Sequence, residues 1–216
     1  MTPLPRQSLI LFDLDGTLVD SRQDLATAVN LTRADYGLPA LPVEVVAGFV
    51  GDGIRVLVER AFAGEPIAVE AAVPALRAHY AAHLVDQTRP YPGVVEALER
   101  LGTAGFALAM ATNKPVREAI AICKALALAD RLTVIFGDGS PGRLKPEPDR
   151  PLAALAASGC QAEASWVVGD NWTDLEAGRR AGMKCCFCRY GFGRRRGRPA
   201  DLEINDLREL AAFLGA

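Results

Sequence analysis

The sequence predicts an α/β fold, a doubly wound parallel sheet with a small all-helical cap domain inserted after the first strand. Three observations carry that expectation. Short continuous apolar runs recur along the chain, and stretches of helical spacing separate them. One long interval, from Ser21 to about Thr88, shows helical pattern and no good strand. The expected division is residues 1–20 as core, 21–88 as the helical cap and 89–216 as core.

The elements follow in order. Ser8 to Phe12 is an unbroken apolar run, as required of a parallel strand buried on both faces. Ser21, with Asp24 three residues later, has the form of a capping box before Leu25, Ala28 and Val29, and Gly37 is placed to end that helix. Ile54, Val56, Leu57 and Val58 mark a second cap helix, and Leu76 to Leu84 a third that Pro74 should begin or kink. The return to the core is expected between Thr88 and Pro92. Val94, Val95, Leu98 and Leu101 then predict a helix, with Gly102 and Gly105 near its end. Further strands are expected at 106–111, 132–136, 166–168 and 185–188. The helices between them include Val116 onward, opened by Pro115, then 152–157 and 175–181.

Composition narrows the function classes. Half of the 216 residues are hydrophobic and 6% aromatic, enough for a sizeable core and against disorder. Twenty-four Lys+Arg against 26 Asp+Glu give a net charge of -2, which argues against a nucleic-acid surface. No apolar run approaches the ~20 residues of a membrane span, and the start, MTPLPRQ, leads into a run too short for a secretory signal. These features predict a cytoplasmic protein with a small-molecule partner, no nucleic acid and no membrane, working as a monomer or homodimer. Five cysteines without regular spacing do not describe a disulfide framework. Cys185, Cys186 and Cys188 read as thiols packed on a buried strand, with a soft-metal site as the alternative. His79 and His83, four residues apart, read as solvent-facing or domain-contact residues.

Polar groups stand at the predicted strand ends. Asp13, Asp15 and Gly16 follow the first strand, and Thr112 and Asn113 follow the strand at 106–111. Lys145 lies in the loop after 132–136, ahead of a helix expected near Pro146. Asp170 follows 166–168, with Asp174 one turn later. In a parallel sheet all of these converge on one edge, where ligands bind at the switch in strand order. Asp170 or Asp174 alone could simply cap a helix, Thr112-Asn113 could be a turn, and Lys145 a solvated side chain. Together they leave four acids against one lysine. Two carboxylates 4 Å apart repel by about 4 kcal/mol at an effective dielectric of 20, and a divalent cation is the remedy. With no Cys or His at these ends, a hard ion, Mg²⁺, is favoured over zinc. Such a site suits a phosphoryl group, with Asp13 as nucleophile and Asp15 as general acid/base.

Asp13-Leu14-Asp15-Gly16-Thr17-Leu18-Val19-Asp20-Ser21 resembles the first motif of the haloacid dehalogenase superfamily of phosphatases. Thr112-Asn113-Lys114, Lys145-Pro146-Glu147-Pro148 and Gly169-Asp170-Asn171-Trp172-Thr173-Asp174 resemble its second, third and fourth motifs, in order. The segments Val50 to Ala61 and Arg89 to Val94 are similar to the phosphoglycolate phosphatase branch. The resemblance implies a Rossmann-like core and phosphomonoester hydrolysis, of 2-phosphoglycolate first, through an aspartyl-phosphate on Asp13. It implies Asp15 as acid/base and Mg²⁺ held by Asp13, the Asp15 carbonyl and Asp170, with Asp174 in support. Thr112, Asn113 and Lys145 would hold phosphoryl oxygens, beside Gly16, while Gly51, Gly53 and Arg55 of the cap would touch substrate.

Two departures stand out: Asn171 in place of a common serine, and Arg150 where a small residue or proline is usual. Gly51-x-Gly53 lacks the third glycine of a dinucleotide loop and reads as a cap loop. The arginine run at 194–198 reads as an exposed flexible loop, or as a contact for a phosphorylated partner or nucleic acid. Rival readings are a phosphosugar mutase of the same superfamily, a phosphatase for another sugar phosphate or nucleotide, a dehalogenase, a receiver-type signalling module and a non-catalytic binding protein. A dehalogenase would not need Asp15, and a receiver module would not carry so large a helical insert.

Overall fold

A computed structural model describes residues 8–216. The MTPLPRQ segment, read from sequence as too short for a signal, lies outside the described residues. The chain begins with β1 (Leu9–Phe12) and the two-residue β2 (Val19–Asp20). Four helices come next: α1 (Arg22–Asp35), α2 (Val43–Ala47), α3 (Ile54–Ala61) and α4 (Val69–Ala82). The short β3 (Arg89–Pro90) then pairs antiparallel with β2, so the way into the helical segment and the way out lie side by side. After it come α5 (Val94–Thr103), β4 (Ala107–Pro115), α6 (Val116–Ala125), β5 (Ile135–Asp138) and α7 (Asp149–Ser158). The chain finishes with β6 (Trp166–Gly169), α8 (Trp172–Arg180), β7 (Lys184–Cys188), β8 (Leu202–Ile204) and α9 (Leu207–Phe213).

The main sheet has six strands in the order β5-β4-β1-β6-β7-β8, and every neighbouring pair is parallel. β1 lies inside the sheet because the chain builds outward through β4 and β5, then crosses back to lay β6 on the other side. That reversal opens a crevice at the carboxyl ends of β1, β4 and β6. Alternation along β1 divides the core. Ile10 and Phe12 join one apolar cluster with Leu98, Leu101, Ile122 and Leu207, while Leu9 and Leu11 join another with Ala154 and Leu155. Both faces of β1 are covered, which is why its sequence is apolar without interruption.

Several local expectations are corrected. Ser21 does not cap α1 with its side chain. Its hydroxyl donates to Asp15 Oδ1 at 2.6 Å. Asp24 instead accepts from Gln87 N–H at 2.9 Å, Thr88 N–H at 2.7 Å and the Thr88 hydroxyl at 2.6 Å. Long-range donors outcompete the local cap, and Asp24 becomes a clasp between the start of α1 and the chain leaving the helical segment. Pro74 neither begins nor ends α4 but lies within it. The lost backbone donor is tolerated because α4 buries Ala72, Leu76 and Tyr80 on one face. α7 starts at Asp149, not near Pro146, because residues that precede prolines, here Lys145 and Glu147, resist helical dihedrals. The strand expected at 132–136 lies at Ile135–Asp138, and the one at 106–111 runs on to Pro115. α2 and β8 were not anticipated, being five and three residues long, too short to display a period.

Cys185, Cys186 and Cys188 are buried free thiols on β7. Burial raises Cys185 and Cys186 to about 12, so they remain protonated. No cysteine belongs to a potential metal cluster among the described residues. His79 pairs with Asp35 and His83 with Asp86, each at 2.7 Å.

Candidate active site

The parallel sheet brings the strand-end groups together. Asp13 directly follows β1, and its N–H donates to the Val168 carbonyl on β6 at 2.9 Å, which fixes the start of the loop. Asp170 follows β6, and Asp174 lies in the first turn of α8. One carboxylate oxygen from each of Asp13, Asp170 and Asp174 lies within 4.8 Å of the others. Lys145 reaches into this group, with Nζ 2.9 Å from Asp13 Oδ1 and 2.6 Å from Asp174 Oδ1. Asp174 Oδ2 accepts the Asn171 N–H at 3.0 Å, so both of its oxygens are engaged.

The electrostatics follow from burial. Desolvation pushes Lys145 down, but Asp13 and Asp174 outweigh it and hold its ammonium above the ordinary range. Burial, then Asp174 and Asp13, raise Asp170 well above the usual carboxylate value, opposed by the Gly193 N–H. Burial also raises Asp174, with Lys145 pulling against it. Three buried carboxylates thus share one ammonium. Their donors are all oxygen and closely spaced, a set that fits a hard divalent cation.

Asp15 faces a different set of partners. Lys114 Nζ lies 2.7 and 2.9 Å from its two oxygens, and Ser21 donates to Oδ1. Tyr80 of α4 places its ring 4.6 Å from the Lys114 ammonium. Burial lowers Lys114, while Asp15 and Tyr80 more than offset it, so the ammonium stays charged.

Thr112 and Asn113 lie on the last part of β4, lining the crevice. The Asn113 side chain is already committed. It donates to the Gly51 and Lys145 carbonyls at 3.0 and 2.9 Å and accepts the Lys145 N–H at 2.9 Å. It therefore ties the lysine loop to the helical segment. Gly16, at φ +82°, passes so close to Asp170 that a Cβ would lie 1.9 Å from Oδ2. Gly51 and Gly53 line the same cavity.

Arg55 is the exception. It is not among the cavity-lining residues, and its exposed side chain pairs with Glu70 at 2.7 Å and Glu59 at 3.1 Å. Both carboxylates lie on the exposed surface of α3 and α4, so Arg55 faces solvent.

Sequence reasoning passed over Lys114, Ser21, Tyr80 and Gly193 as site residues. Lys114 had a signal, since it stands two residues after Thr112 on a strand. Tyr80 had one too, four residues after Leu76 on a helix. Gly193 had none. The loop after β7 folds back so that its N–H donates to Asp170 Oδ2 at 2.7 Å, a placement only the fold decides.

Arg150 is fully buried and donates to the Thr112 carbonyl at 2.9 Å, bracing the end of β4. The arginine run is engaged with its surroundings. Arg196 and Arg198 lie over the Trp172 ring at 5.2 and 5.9 Å, Arg198 approaches Glu176 at 3.6 Å, and Arg196 approaches Asp52 at 3.9 Å.

Comparison with known proteins gives consistent matches. The family model described as haloacid dehalogenase-like hydrolase matches residues 10–188. Phosphoglycolate phosphatase 1 of Pseudomonas aeruginosa is 37% identical over 220 residues, covering 97% of this chain and 79% of that protein. A phosphoglycolate phosphatase of Chromobacterium violaceum is 38% identical over 208 residues, covering 93% of each. A crystal structure described as a predicted phosphoglycolate phosphatase from Haemophilus somnus superposes with a TM-score of 0.90 at 29% identity, covering 97% of this chain and 98% of that one.

Proposed function

Because the chain belongs to the haloacid dehalogenase-like hydrolase family and is a phosphatase, we propose that it hydrolyses phosphomonoesters of small metabolites with Mg²⁺, through an aspartyl-phosphate on Asp13. The names of its relatives put 2-phosphoglycolate first among substrates. The observation that carries this reading is the buried meeting of Asp13, Asp170 and Asp174 around Lys145, at the crevice where β1, β4 and β6 end.

The residues divide the work. The Asp13 carboxylate attacks phosphorus while the ester oxygen leaves with a proton from Asp15. Water then attacks the aspartyl-phosphate and gives its proton to Asp15, which releases phosphate and restores the Asp13 carboxylate and the protonated Asp15. Lys114 and Ser21 orient Asp15 from two sides. Lys145 offsets charge on Asp13 and on the transferring group, and Thr112 offers its hydroxyl to a phosphoryl oxygen. Asp13, the Asp15 main-chain carbonyl and Asp170 would hold Mg²⁺. Asp174, with both oxygens occupied, would position Lys145 and the end of α8. When bound, the cation supplies charge neutralisation to the phosphoryl oxygens. Residues 21–88 act as the cap that covers the crevice, and the protein works in the cytoplasm as a monomer or homodimer.

The test is phosphate release from 2-phosphoglycolate and a panel of phosphomonoesters, with Mg²⁺ or with chelator. Asp13→Asn should abolish turnover while its thermal melt remains cooperative. Turnover at the wild-type rate in that variant would remove Asp13 from the nucleophile role.

A further inference from the structure

The cavity is divided by the origin of its walls. The sheet side presents Asp13, Asp15, Thr112, Asn113, Lys114 and Asp170. The helical side presents Leu25, Val50, Ile54, Leu57, Leu76 and Tyr80, together with the backbone of Gly51 and Gly53. Phe192 adds a further aromatic surface from the loop after β7. No arginine, lysine or histidine of α1–α4 is among the lining residues, and Arg55 pairs with Glu59 and Glu70 on the exposed surface. Lys114, the lysine in the lining, is spent on Asp15 at 2.7 Å.

A leaving group that enters this space therefore meets hydrocarbon and no free positive charge. An uncharged apolar tail would gain the burial of its own surface. One polar feature completes the wall. The Tyr80 ring lies against the Lys114 ammonium at 4.6 Å, with its hydroxyl buried.

We propose that this phosphatase has a further substrate class beyond 2-phosphoglycolate: phosphomonoesters with an uncharged, apolar leaving group, received by the Leu25, Ile54, Leu57, Leu76 and Tyr80 wall. The proposal rests on the phosphatase reading above.

The test is a series of n-alkyl phosphates from ethyl to hexyl, with phosphate release measured alongside 2-phosphoglycolate in the presence of Mg²⁺. kcat/KM should climb about fourfold for each added methylene until the cavity is filled, the factor for burying one CH₂. Leu57→Ala and Ile54→Asn should each flatten that slope, the second variant guarding against a folding defect in the first. A flat or falling series from wild type, with 2-phosphoglycolate turned over normally, would overturn the apolar assignment alone. No phosphate from any ester would overturn the phosphatase reading and this inference with it.

Discussion

Replacing Asp24 with alanine distinguishes a local cap from a tertiary clasp. Sequence pattern makes Asp24 part of a capping box on α1, and loss of such a cap costs about 1 kcal/mol. The structure instead gives its carboxylate the Gln87 N–H, the Thr88 N–H and the Thr88 hydroxyl, with Asp24 and Thr88 both fully buried. Removing the carboxylate leaves a buried amide and a buried hydroxyl without an acceptor. Each such loss costs roughly 1–3 kcal/mol, so Asp24→Ala should destabilise the protein by about 3–5 kcal/mol. For a chain of this size that corresponds to a Tm drop of roughly 6–20 °C. Thermal melts followed by circular dichroism give the readout. Thr88→Val, which removes only the hydroxyl, should lower Tm by a smaller amount. A drop of only ~2 °C or less for Asp24→Ala would refute the clasp.

Other outcomes follow from the site. Gly16→Ala would drive a methyl group against Asp170 at a backbone φ of +82°. We expect phosphate release to fall at least ~100-fold, a displaced catalytic group costing several kcal/mol, and unchanged kcat/KM would refute the close approach. Lys145→Met leaves Asp13 and Asp174 without their shared ammonium. It should lower kcat by roughly 100- to 1,000-fold, as loss of a transition-state charge partner does, and near-wild-type turnover would exclude that role. The raised Asp170 carboxyl sets a pH dependence. A proton held more tightly by the folded than the unfolded chain stabilises fully below the ordinary carboxylate range, and that stability is lost as pH climbs through the folded-state value. Melts in chelator should therefore fall in Tm between an acidic and a neutral buffer, and Mg²⁺ should raise Tm more in the neutral one. Equal Mg²⁺ effects at both pH values would contradict this.

The legible part of the site consisted of residues whose position depends on strand polarity alone. Asp13, Thr112 and Asp170 each stand at or near the end of an apolar run, and a parallel sheet sends such ends to one edge whatever the details of packing. Lys145 was legible for a similar reason, as it follows β5. Arg55 failed this logic. It lies on a helix, where a neighbouring position turns the side chain by about 100°, and Glu59 and Glu70 decided the direction it took. Asp24 failed because its pattern is local, while its donors at Gln87 and Thr88 lie more than 60 residues away; Ser21 turned to the Asp15 carboxylate instead of the helix start.

The amino-acid order by itself determined the α/β class, the helical insert and the four groups of polar residues at strand ends, because period and strand polarity are short-range properties. Only tertiary structure decided which charges meet: Lys114 with Asp15, Lys145 between Asp13 and Asp174, and the Gly193 amide on Asp170. These contacts join residues 23 to 132 positions apart. Their partners are selected by packing and the exclusion of water, which no local pattern encodes.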